Sequence, residues 1–212
     1  MSKLLILGAG GHGKVVADAA MASGKWSDIA FLDNNNDLNE VLGFPVLGRF
    51  ESYQYHLQEN WTVFVAIGNN SARMYWLDKL ELEGYNIATI IHPYSTISGF
   101  SSLGKGSVAL AGVVVNANSS IGRGCIVNTS STVDHDCIIS EGVHISPGVN
   151  ISGTVTVKED SWLGVGAKVN NNITIGKNVI VAAGAVIIKD VPDNVMVAGI
   201  PSTIKKYFGD EQ

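Results

Sequence analysis

From Ile97 to Ile187 an aliphatic residue recurs at every sixth position without a break. The series reads Ile97, Leu103, Ala109, Val115, Ile121, Val127, Val133, Ile139, Ile145, Ile151, Val157, Leu163, Val169, Ile175, Val181 and Ile187. Fifteen of these sixteen are Ile, Leu or Val, and no insertion disturbs the register, which separates the pattern from a chance run in a β-sandwich. A period of six suits neither an α-helix nor an alternating strand. It suits a parallel β-helix, in which each short strand forms one side of a prism and a tight turn follows. Three sides make one coil of eighteen residues, so residues 97–186 give about five coils.

In such a prism the aliphatic residue points inward and stacks on its equivalents in neighbouring coils, each full burial being worth roughly 1.5–3 kcal/mol. Four residues later comes a small or β-branched residue, as in Ser101, Ser107, Val113, Ser119, Cys125, Ser131 and Cys137, which also faces the narrow interior. The position directly after the aliphatic one is often Gly, Asn or Asp, as in Gly104, Asn116, Gly122, Asn128, Asp134, Gly164 and Gly176. These residues tolerate positive φ and so suit turns.

The formal net charge of −5 over 212 residues argues against a nucleic-acid or anionic-membrane binder, which would present a basic patch. No apolar run reaches the length of a membrane span. The first residues enter a strand-like segment directly, where a secretory signal would need a longer apolar stretch. Cys125 and Cys137 are twelve residues apart on different faces of the prism, so they read as buried small hydrophobes and not as a disulfide. These features together suit a cytoplasmic protein.

The first ninety residues have another texture. Lys3–Leu7 reads as a buried strand, residues 8–13 (Gly-Ala-Gly-Gly-His-Gly) as a glycine loop, and Lys14–Ser23 as a helix. Ile29–Leu32 and Trp61–Ile67 read as further strands, Ser71–Glu83 as a helix, and Asn86–Ile91 as a fourth strand. Strands alternating with helices indicate a small parallel α/β domain. Ligands of such sheets bind beyond the carboxyl ends of the strands, where the glycine loop, Asp33-Asn34 and Gly68-Asn69-Asn70 converge. The loop fits G-x-G-x-x-G, with Asp33 twenty residues after Gly13, but ninety residues hold only one mononucleotide half. One nucleotide diphosphate, held by glycine backbone and a helix N-terminus, is the expected ligand. The domains divide as 1–92, a small α/β nucleotide-binding domain, and 93–212, a β-helix.

The two halves together resemble the bacterial hexapeptide-repeat sugar acetyltransferases that modify nucleotide-linked amino sugars, and most of all the N-acetyltransferases of UDP-4-amino sugars on the bacillosamine route. The resemblance rests on residues 8–13, on Ala66-Ile67-Gly68-Asn69-Asn70, on Ile91-His92-Pro93, and on residues 128–137 (Asn-Thr-Ser-Ser-Thr-Val-Asp-His-Asp-Cys). It implies a left-handed β-helix, an acetyl-CoA co-substrate, no metal, and a homotrimer with the active site between subunits. It also implies roles in the synthesis of bacterial surface glycans.

By the same resemblance His135 is the general base and Asp136 raises its basicity; the family has Glu there, one methylene longer. Asn128 matches a polar active-site residue. Gly10, Gly11, His12, Asp33, Asn34 and Gly68 match the nucleotide-sugar contacts, although the family has two acids where this chain has Asp33-Asn34. His144, Gly153, Val165 and Ala183 match acetyl-CoA contacts, Gly153 offering a backbone N–H to the oxyanion. The chemistry is consistent with these types: an imidazole with an ordinary pKa near 6.5 can take a proton as a sugar amine attacks a thioester. The nucleotide is open among UDP, GDP and dTDP. Acetylation of a sugar hydroxyl, as in sialic acid O-acetyltransferases, and a β-helix zinc hydratase are the alternatives; the second wants three protein ligands, often His.

Overall fold

Leu4 to Leu7 are fully buried, as a strand covered on both faces requires. They form the end of β1 (Ser2–Leu7), the middle strand of a three-stranded parallel sheet. β2 (Trp26–Leu32) pairs with it on one side. The computed structural model describes residues 2–59 and 61–209, and the chain forms two compact units, Met1–Pro93 and Tyr94–Gln212.

In the first unit α1 (Gly11–Ala22) carries the chain from β1 to β2. Beyond β2 come a small antiparallel pair, β3 (Glu40–Val41) and β4 (Phe44–Pro45), and a 3-10 segment, Phe50–Glu59. The third strand of the sheet, β5 (Trp61–Val65), lies on the other side of β1 and leads to α2 (Asn70–Leu82). Two glycines shape the β1–α1 turn. Gly8 has φ +109, and a Cβ there would stand 2.7 Å from the Ala66 carbonyl oxygen. A Cβ on Gly13 would strike the carbonyl oxygen of Gly8. The helix therefore starts at Gly11, inside the glycine loop, and not at Lys14 as expected. The expected fourth strand is also smaller: Asn86–Ile91 meets this sheet through one isolated bridge, Val63 to Ile87. There Val63 N donates to Asn86 O and Ala88 N donates to Val63 O.

The second unit is the β-helix the period requires. Face 1 runs from Val108–Ala109 through Ile180–Val181 and ends with Val195–Ala198, against which Thr203–Tyr207 folds back antiparallel. Face 2 holds six strands, from Thr96–Ile97 to Val186–Ile187, so the solenoid has about one coil more than the expected five. Face 3 holds five, from Ser102–Leu103 to Thr174–Ile175. From Thr96 to Ile187 the strands of each face pair in parallel at a spacing of eighteen residues, as Val115 with Val133 and Val133 with Ile151, and the step from Val181 to Val197 is shorter at sixteen. The aliphatic series forms one continuous core with the small inward residues.

Those small residues do more than fill space. Ser119 Oγ donates to Asp134 O at 2.5 Å and accepts from Cys137 N at 3.0 Å. Ser161 Oγ donates to Gly176 O at 2.7 Å and accepts from Val179 N at 2.9 Å. The two cysteines are free, buried members of the same ladder, Cys125 Sγ meeting Ser140 O at 3.0 Å and Cys137 Sγ meeting Ser152 O at 3.2 Å.

The turns differ from expectation in one respect. Positive φ falls three residues after the aliphatic position, at every sixth residue from Gly106 to Gly184, including Asn118, Ser130 and Asp136. The glycines directly after the aliphatic residue serve close approach: a Cβ on Gly122 would lie 2.6 Å from Glu141 N, and one on Gly164 2.7 Å from Ala183 N.

Candidate active site

The turns joining face 2 to face 3 carry His135. Asp136, next to it, has φ +57, a conformation that short polar side chains tolerate. This turn swings the Asp136 carboxylate back onto its neighbour, and Oδ2 lies 2.7 Å from His135 Nδ1. The shorter acid thus makes direct contact. Asp134, on the other side, accepts the His135 backbone N–H at 2.8 Å through Oδ1.

Each acid is held from the coil below. Asn118 Nδ2 donates to Asp136 Oδ1 at 2.6 Å, and Asn116 Nδ2 donates to Asp134 Oδ1 at 2.8 Å. These bonds hold both carboxyls below the usual carboxylate range: that of Asn118 chiefly, with His135, for Asp136, and that of Asn116 chiefly for Asp134. Hydrogen bonding to Asp136, reinforced by the charge of Asp134, pushes the His135 imidazole above its ordinary value. An ionised Asp136 can only accept, so Nδ1 carries the hydrogen and the Nε2 lone pair is left to work. From the coil above, Gly153 closes on the ring: a Cβ there would lie 2.5 Å from Cε1 and from Nε2. Asn116 and Asn118 were missed in the sequence. Their signal is the coil period, since each stands eighteen residues before the aspartate it holds.

The solenoid brings His135, Asp136 and Gly153 together and puts the other candidates elsewhere. Asn128, Val165 and Ala183 lie on the turns joining face 1 to face 2. There Asn128 Oδ1 accepts from Thr129 N at 2.8 Å, and Val165 is 56% exposed. His144 lies on face 1, stacked on Trp162 with ring centroids 5.7 Å apart and planes 9° apart. Trp162 Nε1 donates to Ser146 Oγ at 2.8 Å. A groove of about 310 Å³ opens on face 2 beside His135, its polar lining including Asn116, Thr132, Asp134, Asn150 and Ser152.

In the α/β unit the predicted residues collect at the carboxyl ends of β1, β2 and β5. Asp33 ties the loops together, Oδ2 accepting from Ala9 N at 2.7 Å and Oδ1 from Asn35 N at 2.8 Å. Asn34 Oδ1 accepts from Phe50 N at 3.0 Å. His12 is half-buried in the first turn of α1. Gly10, Gly11 and Gly68 differ from Gly8 and Gly13: a Cβ on any of them would meet nothing within 4 Å, and none has positive φ. The fold leaves this surface open. Arg73 is fully buried behind the third loop, where Nη1 donates to Ile67 O at 2.9 Å and Nη2 to Asn70 Oδ1 at 2.8 Å. Asn69 caps α2, its Oδ1 accepting from Ala72 N at 2.9 Å.

Residues 3–80 match the PglD N-terminal domain and residues 154–189 the bacterial transferase hexapeptide (six repeats). The GDP-perosamine N-acetyltransferase of Escherichia coli O157:H7 is 31% identical over 201 residues, 92% of this chain and 81% of that protein. The chain belongs to the hexapeptide-repeat nucleotide-sugar N-acetyltransferases.

Two solved structures of this family match over nearly the whole length. The acetyltransferase domain of PglB from Neisseria gonorrhoeae FA1090, in complex with acetyl coenzyme A, has a TM-score of 0.93 and 42% identity, covering 96% of this chain and 98% of that one. A histidine-substituted perosamine N-acetyltransferase from Caulobacter crescentus, in complex with CoA and GDP-perosamine, has a TM-score of 0.93 and 37% identity, covering 99% and 98%. The solenoid is thereby of the left-handed type. The match to the galactoside O-acetyltransferase of Lactococcus lactis, at 33% identity, spans only 30% of that protein. Among the described residues no group of three His, Cys, Asp or Glu is arranged to hold a metal ion, and no helix is long and apolar enough to cross a membrane.

Proposed function

We propose that the chain transfers the acetyl group of acetyl-CoA to the amine of a nucleotide-linked 4-amino-6-deoxy sugar, with His135 as general base. The observation that carries this reading is the 2.7 Å contact between His135 Nδ1 and Asp136 Oδ2, which leaves Nε2 as the basic atom at the turn. The amine nitrogen attacks the thioester carbonyl carbon while Nε2 takes a proton from nitrogen. The backbone N–H of Gly153 stabilises the oxyanion, the usual device in acyl transfer. The tetrahedral intermediate then expels the CoA thiolate, which leaves with the proton held by His135. No acetyl-enzyme forms on cysteine: both thiols are buried, and burial pushes Cys137 up, away from the reactive thiolate.

The open glycine surface of residues 10, 11 and 68 at the carboxyl edge of the α/β sheet suits the phosphates of the nucleotide. His12, Asp33 and Asn34 complete that site. The separation of the other candidates supports a homotrimer. Within one solenoid His135 and Gly153 lie on one edge of face 2, while Asn128, Val165 and Ala183 lie on the other. A neighbouring copy that presents its face 1 edge, with His144 and Trp162, to the His135 edge completes an acetyl-CoA groove. Trp162, 46% exposed, and Val165 supply the apolar surface for that packing.

The test is an acetylation assay with UDP-, GDP- and dTDP-linked 4-amino sugars beside free sialic acid. Turnover of one nucleotide-amino sugar, falling about 10²–10⁴-fold in His135→Ala with acetyl-CoA binding kept, is the expected result. Turnover of the free hydroxyl sugar alone would replace N- by O-acetylation.

A further inference from the structure

We propose that Asn118 is a positioning residue for the reaction, aiming the Asp136 carboxylate at His135 from the coil below. The inference rests on the assignment of His135 as base and goes beyond it. Asp136 has two oxygens and two partners: Oδ1 accepts from Asn118 Nδ2 at 2.6 Å and Oδ2 meets His135 Nδ1 at 2.7 Å. With one oxygen pinned, the carboxylate cannot rotate about its terminal bond without breaking a hydrogen bond, so the other oxygen stays on the imidazole. An exposed aspartate without such a partner would sample several orientations.

Asn118 also matches Asp136 in backbone. It has φ +60, one step down a column that continues through Asp136 at +57 and Thr154 at +60. Stacked left-handed residues project their side chains from the same place in successive coils. Asparagine is the short side chain that tolerates this conformation and carries an N–H donor for a carboxylate. The charged groups facing the imidazole are Asp134 and Asp136 of its own turn. The coil below contributes Asn116 and Asn118, and the coil above contributes Gly153; none of these three titrates.

The variant to make is Asn118→Gly, because glycine keeps the left-handed backbone at no steric cost. Asn118→Ser serves as a second variant, since serine adopts the same conformation at Ser130 (φ +56) and is too short to reach. Each is made alone and together with Asp136→Asn, and kcat, KM and the pH profile are measured on the full chain. His135→Ala is assayed beside them. The expected result is a loss of about 3- to 10-fold in kcat, roughly one hydrogen bond. KM for both substrates stays unchanged, and the acid limb of kcat/KM moves to lower pH. In the Asp136→Asn background the same change at 118 should have no further effect, because the two residues act as one unit. An unmoved limb, or effects of the two changes that simply multiply, would overturn the proposal. Full activity in His135→Ala would instead overturn the assignment of the base.

Discussion

The imidazole of His135 rests against the backbone of Gly153, one coil above: a Cβ at 153 would stand 2.5 Å from both Cε1 and Nε2. Gly153 has no positive φ, so its lack of a side chain is a matter of space for the ring. Gly153→Ala should therefore leave the solenoid folded and displace the imidazole proposed as base. A misplacement of about 1 Å at a reacting group costs on the order of 10²-fold in rate. The expected outcome is that loss in kcat with an unchanged circular dichroism spectrum and melting temperature. Wild-type turnover in the variant would show that the ring has another resting place.

With His135 as the proposed base, the His135–Asp136 pair should set the pH dependence. The working form of such a base is neutral, so activity should fall as pH drops through the folded pKa of His135. Asp136 is the main reason that value lies above about 6.5, with Asp134 next. Asp136→Asn removes that cause, so the acid limb of kcat/KM should move down toward pH 6.5 while the plateau falls with the weaker base. The linked stability effects have fixed signs. The raised His135 contributes stability that is complete below about pH 6.5 and is lost as pH rises through its folded value. The lowered Asp136 contributes stability that is present above its ordinary carboxylate pKa and is lost as pH falls through its folded value. An NMR titration of the imidazole in both proteins checks the direction.

Much of this was legible in the sequence because a solenoid repeats one local rule. The aliphatic series implies the inward stack, while His135, Asp136 and Gly153 are singled out by the family resemblance and brought together only in the structure. The supporting asparagines are hidden at a period of six, which gives Asn116 and Asp134 only as turn residues and pairs no residue with its neighbour in the next coil. Read at eighteen, the same chain pairs Asn116 with Asp134 and Asn118 with Asp136. The glycines after the aliphatic position serve close approach where the sequence suggests φ tolerance, since a sequence does not distinguish a glycine needed for φ from one needed for close approach. In the α/β unit the glycine motif hid the helix start, because Gly11, His12 and Gly13 are its first turn and a poor helical composition there reads as loop. Asn86–Ile91 has the composition of a strand, yet pairing with the sheet is a non-local event that composition does not determine.

Cys137 lies two residues from His135, which makes it the obvious rival nucleophile. Its surroundings assign it to the inward ladder. Its Sγ meets Ser152 O at 3.2 Å, the same bond that Ser119 Oγ makes to Asp134 O one coil below. A serine hydroxyl can take over that rung. Cys137→Ser should retain activity within about 2-fold and lose less than about 1 kcal/mol of stability, measured by denaturant unfolding. A collapse of turnover with the fold intact would point to an acetyl-thioester on this residue. Ser161→Val is the contrasting change. It leaves Gly176 O and Val179 N without their buried partner, and about 1–3 kcal/mol should be lost.

The glycines of the first loop divide into two physical classes, and substitution by alanine should separate them. Gly8 has φ +109 and sits 2.7 Å, at its missing Cβ, from Ala66 O. Gly8→Ala thus combines an unfavourable backbone with a clash against main chain that cannot swing away, and the α/β unit should unfold or lose several kcal/mol, on the order of the largest single-site effects. Gly11 is the first residue of α1, with ordinary φ and nothing near its missing Cβ. Alanine there favours helix, by up to about 1 kcal/mol, so Gly11→Ala should melt at the same temperature as the parent or slightly higher. The new methyl group nevertheless projects into the surface proposed to hold the nucleotide phosphates, where the backbone must be approached closely. KM for the nucleotide-amino sugar should rise about tenfold or more, while KM for acetyl-CoA is unchanged. Calorimetric titration with the nucleotide diphosphate measures this directly, and parental affinity in Gly11→Ala would place the ligand elsewhere.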